Sequence, residues 1–269
     1  MEGFKNRAVA LIVCAALALV GWFGGMTLQK QNNALVTLKA SGLRGNAVVM
    51  EVAEQKITAE NYLYWLTTTC DALHQQLGIQ DWSMQITEDL TVGQYAKKEA
   101  DYYVLQYAAI TALAKENQIT LTAEEEELVS GTVDSYLAYV GDEQLGRFVM
   151  KQGGLSDAQL TENARTSYLY KRLCESLLRE GGELEPTEAN LAAFKERHKD
   201  QSLEEDEFLA YYKSTEYGAV YDYVNDYIDQ MEPEYTKNYD KIQVETYYPA
   251  VNAERQKMIE TEGKNLIDE

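Results

Sequence analysis

Residues 48–66 read VVMEVAEQKITAENYLYWL, and two different periods meet inside them. Val48, Met50 and Val52 alternate with Val49, Glu51 and Ala53, the period of a strand. After a tight turn, Thr58 stands where a helix cap belongs. Leu63, Leu66, Cys70, Leu73 and Leu77 then recur at spacings of three and four. A strand over residues 47–53 cannot satisfy its backbone groups alone, so a partner is required. The other run with convincing alternation is KIQVETYY at 241–248, where Ile242, Val244 and Thr246 alternate with Gln243, Glu245 and Tyr247. The expectation is a mostly α domain closed by a small two-stranded sheet, with residues 47–53 paired to 242–247.

Working outward, the intervening chain reads as helices with signalled ends. LGIQDW at 77–82 is a loop, and a long helix follows over roughly 87–116, with Tyr102, Leu105, Ala109 and Leu113 on its buried face. Thr122 with Glu125 forms a capping box, and the acidic run at 124–127 suits a helix N-terminus. That run reads as a solvated first turn, not as a metal site. The helix it opens carries Val129, Val133, Tyr136, Leu137 and Val140 as one stripe. A short helix stops at Gly153-Gly154. Ser156 with Gln159 then opens another over about 157–179, which Gly181-Gly182 end. Pro186 and Thr187 start the next. The segment after Pro249 is polar and helical in pattern.

Composition narrows the class. The chain has 269 residues, 45% of them hydrophobic, enough for a real core, and only 3 prolines and 17 glycines, as long helices require. A net charge of -20 argues against nucleic acid as a partner, because phosphate contacts demand clustered Lys and Arg. Residues 8–26, AVALIVCAALALVGWFGGM, are an uncharged run of 19, about the length that spans a bilayer. Lys5 and Arg7 precede it and place the N-terminus in the cytoplasm, with the bulk of the chain outside. The reading adopted is an uncleaved signal anchor. The competing one is a signal peptide cleaved after Ala16-Leu17-Ala18. Cys14 lacks the small preceding residue of a lipoprotein site. Cys70 and Cys174 occupy apolar helical positions and read as buried small hydrophobes, although a disulfide between them stays open. The expected organisation is an anchor through residue 26, a spacer at 27–46, a helical domain at 47–248 and a polar tail at 249–269.

The order of these signals resembles a known family. VVMEVAEQKITAENYLYWL is similar to the opening of the SurA/PrsA-type extracytoplasmic foldases, where a strand, a turn and an I-T cap lead into the first helix. ALAKENQITLTAEEEELV resembles that family's A-x-x-x-G-I-x-V-(S/T)-x-E-E segment. FVMKQGGLSDAQLTENARTSYLYKRL looks like its G-L-(S/T) helix, and EPTEANLAAFKERHKD like the V-T-x-E-E piece that follows. The resemblance covers about residues 47–200 and implies the family's N-terminal chaperone domain, preceded here by one transmembrane helix. Such foldases usually insert a parvulin-type prolyl isomerase domain beyond this point, whose first strand carries an H-I-L-like motif. Here the corresponding stretch reads IQVETYY, and the two histidines, His74 and His198, lie on helices before it. No residue inherits the family's isomerase role, and no cofactor or metal is expected.

The function this implies is a membrane-anchored, non-catalytic chaperone that holds unfolded exported polypeptides. The alternatives are a dedicated envelope or secretion adaptor with a single partner, and a degenerate peptidyl-prolyl isomerase. The chain lacks G-x-S-x-G, C-x-x-C, H-E-x-x-H and phosphate-loop motifs. A holdase needs aromatic area that tolerates water, which tyrosine supplies, and the chain has 20 tyrosines. The client-binding candidates are Tyr62, Tyr64, Trp65, Tyr102, Tyr103 and Tyr107 on the first two helices. Later in the chain they are Tyr211, Tyr212, Tyr217 and Tyr221, with Tyr223 and Tyr227 beyond.

Overall fold

Ala53 and Glu54 both adopt positive φ, 47° and 62°, and fold the first strand straight back on itself. Two consecutive positive φ values make the hairpin turn whose twist matches that of paired strands. The protein's structure is a computed structural model that describes residues 35–200 and 205–263. It opens with helix α1 (Val36–Ser41), followed by strands β1 (Val48–Val52) and β2 (Gln55–Thr58) and helix α2 (Ala59–Leu77). β1 pairs antiparallel with β2, Val52 opposite Gln55 and Met50 opposite Ile57, with a bulge between Val48 and Met50. Thr58 caps α2, its hydroxyl accepting from the Asn61 amide at 3.4 Å.

The chain continues through strands β3 (Gln85–Thr87) and β4 (Leu90–Thr91), helix α3 (Val92–Glu116), and helices α4 (Ala123–Ser130) and α5 (Thr132–Val140). Helices α6 (Glu143–Gly153), α7 (Asp157–Leu178) and α8 (Glu188–Arg197) follow. Then come α9 (Glu205–Tyr212), α10 (Ala219–Ile228), β5 (Glu234–Tyr235), α11 (Lys237–Asp240) and α12 (Val244–Met258), and a π-helical turn closes at Ile259–Gly263. The caps read from sequence are present. Thr122 and Glu125 exchange hydrogen bonds as a full box, at 2.9 and 3.2 Å. Ser156 accepts from the Gln159 amide at 3.0 Å, while the Gln159 side chain accepts from Asn61 instead.

The fold is mostly helical with small antiparallel sheets, as expected, but the expected strand pairing is wrong. Residues 242–247 are not a strand: Gln243 is the N-cap of α12, and Val244 onward is helical. β1 instead takes its immediate neighbour β2 on one edge and β5 on the other, in the order β2-β1-β5. Met50 stands opposite Tyr235 and Glu51 opposite Glu234. Thr236 and Asn238 extend the seam, both donating to the Val48 carbonyl, at 2.7 and 3.0 Å. The reason is periodic. Tyr247, Tyr248, Val251 and Met258 fall three, four, seven and fourteen residues after Val244, and all five are buried on α12. That longer stripe outweighs six residues of alternation. As a helix, the segment also delivers the Tyr247 hydroxyl to Thr67 at 2.7 Å and the Tyr248 hydroxyl to Asp71 at 2.6 Å.

Three further boundaries move. Part of the expected spacer, Val36–Ser41, is α1, with Leu35, Val36 and Thr37 buried and contacts to α2, α6 and α12. The expected helix over 123–140 breaks at Gly131, a poor helix former, into α4 and α5. α12 runs through Pro249, so the expected polar tail supplies Val251 and Met258 to the core. The expected membrane span at 8–26 lies outside the described residues. Among those described, no helix is long and apolar enough to cross a membrane.

The chain divides into two compact units. The first takes the residues up to 104, those at 130–162 and those from 233 onward. Its core holds Val49, Met50, Tyr62, Leu63, Leu66, Phe148, Tyr247 and Val251. The second takes 105–129 and 163–232. Within it, Phe194, Tyr212 and Ala219 form a cluster flanked by Leu178, Leu184, Leu191, Phe208 and Tyr211.

Candidate functional site

The aromatic residues expected to face a client are distributed between two interiors. Tyr62, Trp65, Tyr103 and Tyr212 are buried, so they pack the cores and present no ring to a partner. Trp65 stacks on Tyr103 at 5.4 Å and meets Tyr64 edge-on at 5.0 Å, and Tyr102 leans edge-on to Tyr103. Tyr64, Tyr102, Tyr107, Tyr211 and Tyr221 are half-buried, and Tyr217 is exposed, stacked on Tyr211 at 4.9 Å. The Tyr212 hydroxyl donates to the Leu184 carbonyl at 3.1 Å. Of the two later candidates, Tyr223 donates to Glu183 at 3.2 Å and Tyr227 to Glu116 at 2.7 Å. These tyrosines tie helices together more than they line one cradle.

Three polar networks link the elements, two of them buried and the third reaching the surface. In the first unit, the buried Asp101 accepts from Tyr235 at 3.1 Å and Tyr239 at 2.8 Å, joining α3 to β5 and α11. Loss of hydration pushes its carboxyl above the ordinary value, and the tyrosine hydroxyls and the Lys97 charge oppose that shift. Lys97 lies 3.7 Å from the centre of the Tyr239 ring. In the same unit Arg255 grips both oxygens of Asp71, at 2.7 and 2.8 Å, while Tyr248 donates to one of them. In the second unit His198 Nε2 lies 2.7 Å from Asp222, which also meets Arg197 at 3.1 Å. Arg197 in turn clasps Asp226 with two bonds, at 2.6 and 2.8 Å. Each network joins elements of one unit, and each carboxylate accepts at least one hydrogen bond, although Asp101 Oδ1 is buried with no partner among the described residues.

Cys70 and Cys174 are free thiols, both buried. This decides the question left open by the sequence, and burial pushes Cys174 up to about 11, away from the reactive thiolate. No cluster of three metal-ligating side chains occurs among the described residues. A shallow depression of about 310 Å³, lined by Asp134, Leu137, Ala138, Gly141 and Glu143, holds no convergent set of polar groups.

The surface feature with the character of a binding site was missed by the sequence reading. Residues 85–91 are a hairpin, β3–β4, turned at Glu88-Asp89, where a helix was expected to begin. Met84 and Ile86 are 47% and 49% exposed, and Leu77, at the end of α2, is 52% exposed. The base of the hairpin is rigidly held. Trp82 is buried edge-on against Tyr248 at 4.9 Å. The Val92 and Gly93 amides donate to the Met84 and Trp82 carbonyls at 2.9 and 2.8 Å. Asp81 accepts from the Ser83 amide at 2.9 Å and hydroxyl at 2.6 Å, which holds its carboxyl below the ordinary value. His74, on α2, meets the Ile79 carbonyl at 2.6 Å and steadies the loop from the other side. The available signal was Ile86-Thr87 and Leu90-Thr91 around a two-residue acidic turn.

Comparison with family models, with curated proteins and with solved structures yields no match.

Proposed function

We propose that this chain is a chaperone-like protein that binds unfolded exported polypeptides on the outer face of a membrane, without prolyl isomerase activity. The observation that carries the reading is the set of large apolar side chains left in solvent on an acidic chain. Leu77, Met84 and Ile86 do so in the first unit, and Leu128, Leu209 and Tyr217 in the second. Apolar area of this kind stabilises a bound chain by roughly 25 cal/mol per Å² buried, less the cost of ordering the client. Micromolar affinity and broad selectivity follow. Catalysis of isomerisation would have to lower a barrier of about 18–20 kcal/mol, which asks for a shaped pocket around the proline ring. The resemblance of residues 47–200 to the foldase N-terminal domain, and the basic residues ahead of the apolar run at 8–26, support the same placement and role.

The test uses the full-length chain in mild detergent. It is expected to suppress aggregation of several unrelated unfolded proteins at near-stoichiometric ratios. In a protease-coupled proline-peptide assay it is expected to leave the isomerisation rate at its uncatalysed value. Protease added to intact protoplasts is expected to degrade the domain. Capture of one dedicated partner with no suppression of aggregation would replace this reading by an adaptor. Isomerisation that tracks with the purified chain would overturn its non-catalytic part.

A further inference from the structure

Residues 57–96 contain neither lysine nor arginine, and the β3–β4 hairpin lies inside that stretch. Asp81, Glu88 and Asp89 are all exposed around it. Met84 and Ile86 flank Gln85 at the start of β3 and both are exposed, with a bulge between Gln85 and Thr87. Among the described residues, β3 has β4 on one edge and no strand on the other. Such an edge is a template for another extended segment. No lysine or proline guards it between Leu77 and Ala96; its three-residue length and the bulge between Gln85 and Thr87 limit the template to a short segment.

We propose that the β3–β4 hairpin is a docking site for an extended client segment alternating apolar and basic side chains, which adds beside β3. This rests on the chaperone reading above and names the site and client chemistry within it. The client's apolar side chains cover Met84 and Ile86, and its lysines or arginines meet Asp81, Glu88 and Asp89. Opposite charges choose among clients, because residues 57–96 offer a basic segment no like charge while an acidic one meets Asp81, Glu88 and Asp89. The anchored base, with Trp82 inserted against Tyr248, keeps the strand ordered before binding and lowers the ordering cost on this side.

The probe is a fluorescent ten-residue peptide alternating valine or leucine with lysine. Its controls are the same peptide with glutamate for lysine, and a version N-methylated at alternate amides. With the full-length chain in detergent, the lysine peptide is expected to bind at least tenfold more tightly than either control. The double variant Met84→Ser/Ile86→Ser is expected to lose most of that affinity, with unchanged far-UV circular dichroism. Glu88→Gln/Asp89→Asn removes two charges from a chain of net -20, so a general attraction would hardly change. The proposal expects severalfold weaker binding and a shallower salt dependence. Unchanged affinity in both variants would place the peptide elsewhere and overturn the assignment. Tight binding of the N-methylated peptide would overturn strand addition. Neither result touches the chaperone reading, which fails separately if the wild-type chain suppresses no aggregation.

Discussion

At the scale of single residues, the buried carboxylates carry the sharpest consequences. Arg255 satisfies Asp71 with two bonds, and both side chains are largely shielded from water. Arg255→Met leaves a buried charge with only the Tyr248 hydroxyl, and removal of one partner from such a pair costs about 3–5 kcal/mol. Urea unfolding should show that loss. Asp71→Leu combined with Arg255→Met should recover most of it, because the destabilisation lies in the orphaned charge. Asp101 has the opposite sign. Its folded pKa is raised, so the folded state keeps the proton to higher pH than the unfolded chain. The favourable contribution is present at low pH and is lost as pH rises through the folded pKa. Asp101→Asn keeps an acceptor for Tyr235 and Tyr239 and removes the buried charge. At neutral pH the variant should be at least as stable as the wild type, with a flatter fall in melting temperature from acid to neutral. A drop of several degrees at neutral pH would show that the ionised form is needed.

At the scale of elements, a join between α6 and α1 offers the clearest test. Gly154 ends α6 at φ +70°, and a Cβ there would collide with the buried Thr37 of α1. Left-handed backbone costs a residue with a Cβ about 1–2 kcal/mol, and the collision adds to it. Gly154→Ala is therefore expected to destabilise by about 2 kcal/mol or more, measured by denaturant unfolding. This position was legible in sequence, since a Gly-Gly pair after a periodic run signals a helix stop. The caps at Thr58, Thr122, Ser156 and Thr187 were legible for the same reason: a capping hydroxyl bonds to an amide two or three residues away, so no distant part of the chain is involved. The β3–β4 hairpin was not. Its strands hold three and two residues, too few for a period to stand out beside the long helix that follows.

At the scale of the whole molecule, the first unit is assembled from three separated stretches of chain, and the last of them supplies β5, α11 and α12. Deleting residues 233–269 should therefore abolish cooperative unfolding of that unit and expose the amides of residues 48–58 to hydrogen exchange. The core around Phe194 and Tyr212 belongs to the second unit and should keep its protection. Persistent protection of β1 in the truncated chain would show that β5 and α12 are dispensable to it. The sequence alone determined the mostly helical class, the capped helix starts at Ala59, Ala123, Asp157 and Glu188, and the net acidic charge, because periodicity, capping and charge act over a few residues. Only the tertiary structure decided what β1 pairs with, because Val244 and its neighbours satisfy two periods at once and the choice falls to burial against α1 and the hydroxyl partners on α2. It likewise decided which tyrosines are interior. A ring on a helix is buried or exposed according to what packs over it: Tyr62 meets Tyr239 from far along the chain, and Tyr212 meets Phe194 from a neighbouring helix.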